Sequence, residues 1–267
     1  MNATRESALL GPHHLPYLLR IADGSLILAQ RLAEWCGHGP VVEEDIAVTN
    51  IALDLLGQAR LLYAHAGELE GLGRDEDAFA YWREAPQFLN PTLVELPNGD
   101  FGQSVLRAYC YTAYQLCLWP ALDSSRDHAL AAIARKSRKE TAYHCNHLSQ
   151  WVMRLGDGTT ESHARMQRAL AYVWPFTPEL FADDEVERAA VQSGLGPAPA
   201  SLVMRWEQMT SAVIQEATLK IPVAVPFTAT GTATGKATGR QGQHSEYLGS
   251  LLLEMQSLAR AHPGAKW

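Results

Sequence analysis

The sequence has 267 residues, 47% of them hydrophobic and 19% charged, and a formal net charge of −7. That is enough chain for one large domain or two small ones. The acidic balance argues against broad electrostatic binding to nucleic acid or to an anionic membrane, while leaving room for one local basic patch facing a phosphate-bearing ligand. No apolar run is long enough to span a bilayer. The opening residues MNATRESALLGPHHLPYLL lack the charged-then-apolar order of a secretory signal, so a cytoplasmic protein is expected.

Residues 1–12 read as frayed, with His13-His14 an exposed pair in that tail. A first helix is predicted over Leu15–Cys36, with apolar residues at Leu15, Leu18, Leu19, Ala22, Leu26, Ala29 and Leu32, ended by Gly37 and Gly39-Pro40. A second runs from Val42 to Leu69. Glu43, Glu44 and Asp45 open it, where carboxylates suit the helix dipole. The set Ala47, Ile51, Asp54, Gln58, Leu61 and His65 follows steps of three and four, which places Asp54 in or beside a bundle core. Gly57, in mid-helix, suggests close approach of another helix.

Residues 73–100 are broken by Pro86, Asn90-Pro91 and Pro97-Asn98-Gly99, apart from a short helix over Asp75–Trp82, and read as a crossover between two helical pairs. Asp100 is the expected N-cap of a third helix that runs to Pro120. A fourth spans Asp127–Leu155, with Thr141 and His144 interrupting its apolar stripe. A fifth follows from Thr160 to Pro175, then short acidic helices around 178–192, an amphipathic helix over Leu202–Leu219 and a last one over His244–Ala261. The Gly/Thr-rich segment 228–242 reads as a flexible loop; Gly235-Lys236 and Gly239-Arg240 lie in it, but no strand precedes it as a P-loop requires. Cys36, Cys110, Cys117 and Cys145 form no CxxC pair and read as reduced core thiols. The chain is thus expected to be all-α, with a four-helix core and C-terminal additions.

Polar residues inside long helical pairs suggest a di-iron carboxylate bundle. Such a site takes a Glu from each of two helices and Glu-x-x-His from each of the other two. Here Asp54 and Gly57 supply an acid without a His, and Thr141 and His144 a His without an acid; Glu140 is one residue out of register, about 100° round the helix. The third helix has no carboxylate. The ligand set is too small for two irons, and these four positions read as the remains of a site, Asp54 being held by donors or a cation such as Arg60, Lys139 or His144. A buried carboxylate demands such a partner. His144 and His147, three apart, could bind a metal, but helix packing explains them as well.

The runs RLAEWCGHGP, DIAVTNIALDLLGQAR, VELPNGDF and GQHSEYLGSLLLEMQSLARAHPGAKW resemble the C-subunit family of the phenylacetyl-CoA epoxidase, a bacterial multicomponent monooxygenase. The resemblance covers Leu18 to Trp267 and rests most on Glu34–His38 and Asn50–Arg60. It implies a ferritin-like four-helix bundle over 15–267 with additional C-terminal helices, a 14-residue N-terminal extension, and a loop at Thr228–Lys236 longer than usual. It implies a non-catalytic structural subunit without cofactor. A paralogous A subunit would hold the di-iron centre and the CoA ester, beside a B subunit and a reductase using NADPH, flavin and iron–sulfur. A homodimer is a further possibility under this resemblance; catalytic residues are not implied. The spare helices 202–219 and 244–267, with Trp206, Met209, Tyr247, Met255 and Trp267, are expected at an interface. Two other readings compete: an active di-iron oxygenase, and a CoA-thioester binding protein without oxygenase partners.

Overall fold

The structure, a computed structural model, describes residues 11–223 and 238–265, and no strand occurs among them. Its helices are α1 (His14–Ala33), α2 (Val42–Glu70), α3 (Glu76–Tyr81), α4 (Thr92–Glu95), α5 (Phe101–Leu122), α6 (His128–Gly156), α7 (Thr160–Val173), α8 (Glu185–Ser193), α9 (Ala200–Glu216) and α10 (Glu246–Ala261). The fold class is all-α and ferritin-like, with two long-helix hairpins, α1–α2 and α5–α6, and additional helices following the second. Helix ends fall within a few residues of those predicted. Asp100 and Asp127 cap α5 and α6, accepting from Gln103 N at 2.9 Å and Leu130 N at 3.0 Å.

Contacts gather the chain into two compact units. The first comprises the described parts of Met1–His38, Val42–Leu96 and Thr228–Trp267; the second comprises Gly39–Val41 and the described part of Pro97–Phe227.

In the first unit α1 packs along α2. Every residue of α1 from Tyr17 to Ala29 is buried, so this helix is enclosed on all sides rather than on one stripe. The buried stripe of α2 is Val48, Ile51, Ala52, Leu55, Ala59, Leu62 and Ala66. Asp54 lies beside it, half-buried and outside the core. The expectation that Asp54 is the interior carboxylate is therefore corrected, because the stripe is centred one residue further round the helix. Arg60, proposed as its cation, is exposed and pairs with Glu76 at 3.2 Å.

Two carboxylates of this unit have no exposed surface, Glu95 of α4 and Asp23 in the middle of α1. Asp23 is the one held by a buried guanidinium. Arg83 donates to both of its oxygens, at 2.5 and 3.0 Å, the Tyr63 hydroxyl donates at 2.5 Å, and the Leu89 amide at 2.7 Å. Arg83 also donates to the carbonyls of Phe79 and Gln87, and its guanidinium sits 4.1 Å from the centroid of the Phe88 ring. Burial works against that charge, but Asp23 and Tyr63 beside it outweigh the effect and hold Arg83 protonated. The Tyr63 hydroxyl is pushed well up, by burial first and by the Asp23 charge second. The segment 73–96 is thus not a plain crossover. It carries the cation that neutralises α1.

The last helix belongs to this unit as well. Gln256 donates to the carbonyls of Ala80 and Arg83 at 3.0 Å each, and Arg260 to those of Tyr81 and Arg83. Just before α10, both ring nitrogens of His244 face acceptors: Nδ1 faces Glu95 Oε1 at 3.4 Å, and Nε2 the Phe88 carbonyl at 2.9 Å. Only the doubly protonated ring donates to both. Part of the expected flexible loop is packed here. Gly239 and Arg240 are buried, the Arg240 carbonyl accepts from Arg20, and Gly242, at φ +76, lies against the Pro86 carbonyl. Backbone acceptors and glycine packing hold a stretch whose composition suggested none; 228–237 lie outside the described residues.

Other corrections are local. His14 is 3% exposed and meets the His65 ring edge-on at 6.2 Å. Gly57 has open space where a Cβ would stand; the close approach is at Gly67, where a Cβ would collide with the Arg74 carbonyl. Cys36 is exposed, unlike the other three cysteines.

In the second unit α5 and α6 pair along their lengths, with α7 and α9 against both. Trp206 of α9, expected at an interface, is 3% exposed and donates to the Cys110 carbonyl at 3.0 Å. It is core because α9 needs its own apolar stripe, Leu202, Trp206, Thr210 and Ile214, to cover this hairpin. The large exposed apolar side chains of these two helices are Met204 on α9, and Leu253 and Leu258 on α10. Burial raises the Cys110 and Cys145 thiols to about 12, so both stay protonated and inert.

Two outcomes follow from the first unit. Asp23→Ala leaves Arg83 buried and unpaired, and should cost about 3–5 kcal/mol in urea unfolding, whereas Asp23→Leu combined with Arg83→Met should recover much of that loss. For His244, burial lowers the pKa, but the Glu95 hydrogen bond and charge and the Phe88 carbonyl outweigh it, leaving the pKa above its ordinary 6.5. The stabilisation is then complete below pH 6.5 and is lost as pH rises through the raised value. A His244→Gln protein should show a flatter melting temperature over that window than the wild type.

Candidate functional site

The four positions singled out in the sequence lie on α2 and α6, and each hairpin can be tested for metal-binding groups on its own. In α1–α2 the fully buried carboxylate is Asp23, and all its described partners are donors: Arg83, Tyr63 and the Leu89 amide. A metal would have to displace a guanidinium from it. Asp54 is half-buried at the margin of the stripe, and Gly57 offers no ligand atom at all. Gln58 is the polar side chain that this part of α2 buries, at 1% exposure.

In α5–α6 the buried polar positions are neutral apart from the Arg107 guanidinium, which donates to Asn98 Oδ1 at 2.6 Å. Gln115, Ser137, Thr141 and His144 have no exposed surface. The helix α5 contains no Asp or Glu, and the one acid within α6, Glu140, is half-buried. Thr141 stands three residues before His144, where an iron-binding helix carries an acid. Its hydroxyl accepts from the Trp119 indole N–H at 3.0 Å, inside the hairpin. The His144 ring meets Tyr143 edge-on at 6.4 Å. A hydroxyl and an imidazole on one face cannot balance the charge of two iron ions, which in this architecture takes four carboxylates. The residues present do not fit a di-iron centre.

Sequence reasoning alone misses the Trp119–Thr141 bond, because the register of α5 on α6 is seen only in the structure, where Gly102 packs beside Leu155. Replacing Thr141 with Val keeps the shape and removes the acceptor. A buried donor without a partner costs about 1–3 kcal/mol, so Thr141→Val should destabilise by that amount in chemical unfolding, and Trp119→Phe in the same background should add little beyond its own packing loss.

The family model described as "Phenylacetic acid catabolic protein" matches residues 4–267. The C subunit of the 1,2-phenylacetyl-CoA epoxidase of Escherichia coli (strain K12) is 44% identical over 251 residues, covering 94% of this chain and 98% of that relative. With the match running over nearly the whole sequence, the chain belongs to the phenylacetic acid catabolic protein family.

Proposed function

We propose that this chain is a non-catalytic structural subunit of a phenylacetyl-CoA 1,2-epoxidase, the monooxygenase of aerobic phenylacetate breakdown. In this reading a partner A subunit holds the di-iron centre and the CoA ester. A B subunit and a reductase carrying flavin and iron–sulfur deliver electrons from NADPH, and the assembly works in the cytoplasm. The chain contributes a rigid helical body against which the partner's helices are held. The observation that carries the reading is the spent position 141: where a metal-binding helix needs a carboxylate, this one has a hydroxyl committed to the Trp119 indole. The similarity to an epoxidase component from Escherichia coli supports it.

The outward face of α2 supports the partner role. Val42, Ile46 and Leu53 are 72%, 56% and 58% exposed, and their spacing puts them on one stripe of the helix. Apolar side chains aligned in this way suit a permanent interface between subunits, which buries more than about 2,000 Å².

Metal content separates this role from an active di-iron oxygenase. The chain purified alone should contain far less than stoichiometric iron; about two irons per chain, the complement of an intact bundle site, would sink the proposal. On size exclusion, the chain co-expressed with the di-iron subunit should elute as one complex at micromolar concentration. Ile46→Lys with Leu53→Lys should split that complex while leaving the melting temperature of the isolated chain nearly unchanged.

A further inference from the structure

Helix α6 has two unlike halves. The inner one buries Ala134, Ser137, Thr141, His144, Leu148 and Val152. The outer one exposes Arg135, Lys136, Arg138 and Lys139 within little more than one turn, and then Tyr143, which is 60% exposed. The chain as a whole is acidic, at −7, yet α6 carries five basic residues, these four and Arg154, against one acid, Glu140.

Little within the helix favours this cluster, the one opposite charge at a helical spacing being Glu140, four residues after Lys136. Arg135–Arg138 and Lys136–Lys139 are like charges three apart, and Arg135–Lys139 are four apart, spacings at which like charges repel. The cluster sits in the first half of α6, away from the C-terminal end where the helix dipole would favour cations. Arg135 pairs with Asp123 at 2.9 Å, but both side chains are about half exposed, where such a pair is worth little. Among the described residues, Lys136, Arg138 and Lys139 form no ion pair. Three of the four cations are thus left to solvent rather than engaged in ion pairs among the described residues, which points to a use outside the chain.

The shape of the face narrows the class of partner. It is the convex side of a helix, and small ligands are retained in concave pockets. The stripe from Arg135 to Tyr143 is about 12 Å long at 1.5 Å per residue, and the remainder of an acidic chain gives no wider positive field for nucleic acid. Tyr143 stacks on His147, with ring centroids 6.2 Å apart and planes at 21°, which holds its ring in place beside the cations. Tyr and Arg are the side chains on which protein interfaces most often anchor. We propose that the outward face of α6 docks the acidic surface of a separate protein in a transient, salt-sensitive encounter. This site is distinct from the apolar α2 stripe and does not depend on the structural-subunit reading.

The test uses the full chain and a fluorescein-labelled 15-residue Glu-rich peptide, followed by fluorescence anisotropy. Saturable binding is expected at 20 mM NaCl, about tenfold weaker at 200 mM as screening shortens the reach of the charges. The triple variant Lys136→Glu/Arg138→Glu/Lys139→Glu should bind about tenfold less at low salt, and Tyr143→Ala should also bind less. Arg188→Glu, at an exposed site on α8, should bind as the wild type does. If the charge reversal fails to fold, the corresponding triple Gln variant replaces it. The absence of saturable binding, or equal binding by the triple variant, would overturn the proposal. So would tighter binding of a 15-nucleotide single strand or of inorganic tripolyphosphate that displaces the peptide. The triple variant should still co-elute with the di-iron subunit; loss of that complex would move the face into the permanent interface and refute a transient site, whereas failure of the wild-type pair to co-elute bears on the structural-subunit reading alone.

Discussion

A charge in the middle of an otherwise apolar helix decides how the first unit closes. Asp23 lies within a run of α1 that is buried on every side. A carboxylate there is tolerated only with a cation and further donors, since the cost of removing it from water is several kcal/mol. Arg83 supplies the cation, and it comes from the segment 73–96, which holds α3 and the prolines after it. That stretch must therefore fold back onto α1. Its aromatic residues Phe79 and Phe88 flank the guanidinium. The carbonyls left along it at Ala80, Tyr81 and Arg83 become the acceptors that seat α10. One buried acid thereby orders a connection, and the connection in turn positions the last helix.

The helices α5 and α6 bury no carboxylate. Their interior is polar in places, and its groups are hydroxyls, an amide, an imidazole, an indole and one cation, the Arg107 guanidinium. Neutral groups can satisfy one another at little desolvation cost, and they leave the hairpin with no appetite for a cation. In this hairpin the inner face of α6 is neutral and its outer face strongly basic. The same helix thus combines a core built for packing with a surface that carries charge.

The architecture was legible from the chain because its signals are local. Asp100 and Asp127 cap the helices that their position announced, and prolines and glycines bracket the rest. The sites were less legible. A stripe of residues at steps of three and four is compatible with a helix rotated by one position, and that rotation moved Asp54 from the core to its margin. The true interior acid, Asp23, sits in a helix without a polar face, so periodicity gives it no distinction, and its partner Arg83 is 60 residues away in a segment with no periodicity at all. The missing ligands were easier to read, since Gly57 and Thr141 cannot supply what an iron site needs wherever they point. Composition misled at 238–242, where glycine serves close packing against the carbonyls of Asn90 and Pro86 rather than freedom.

The Trp119–Thr141 bond also limits what position 141 can become. Placing an acid there would insert a larger, charged side chain at a point with no exposure, against an indole that needs an acceptor but cannot neutralise a carboxylate. An acid there becomes tolerable only after Trp119 has shrunk and several further ligands have arrived, and each such step taken alone lowers stability. No single substitution at position 141 therefore turns this hairpin into a metal-binding one.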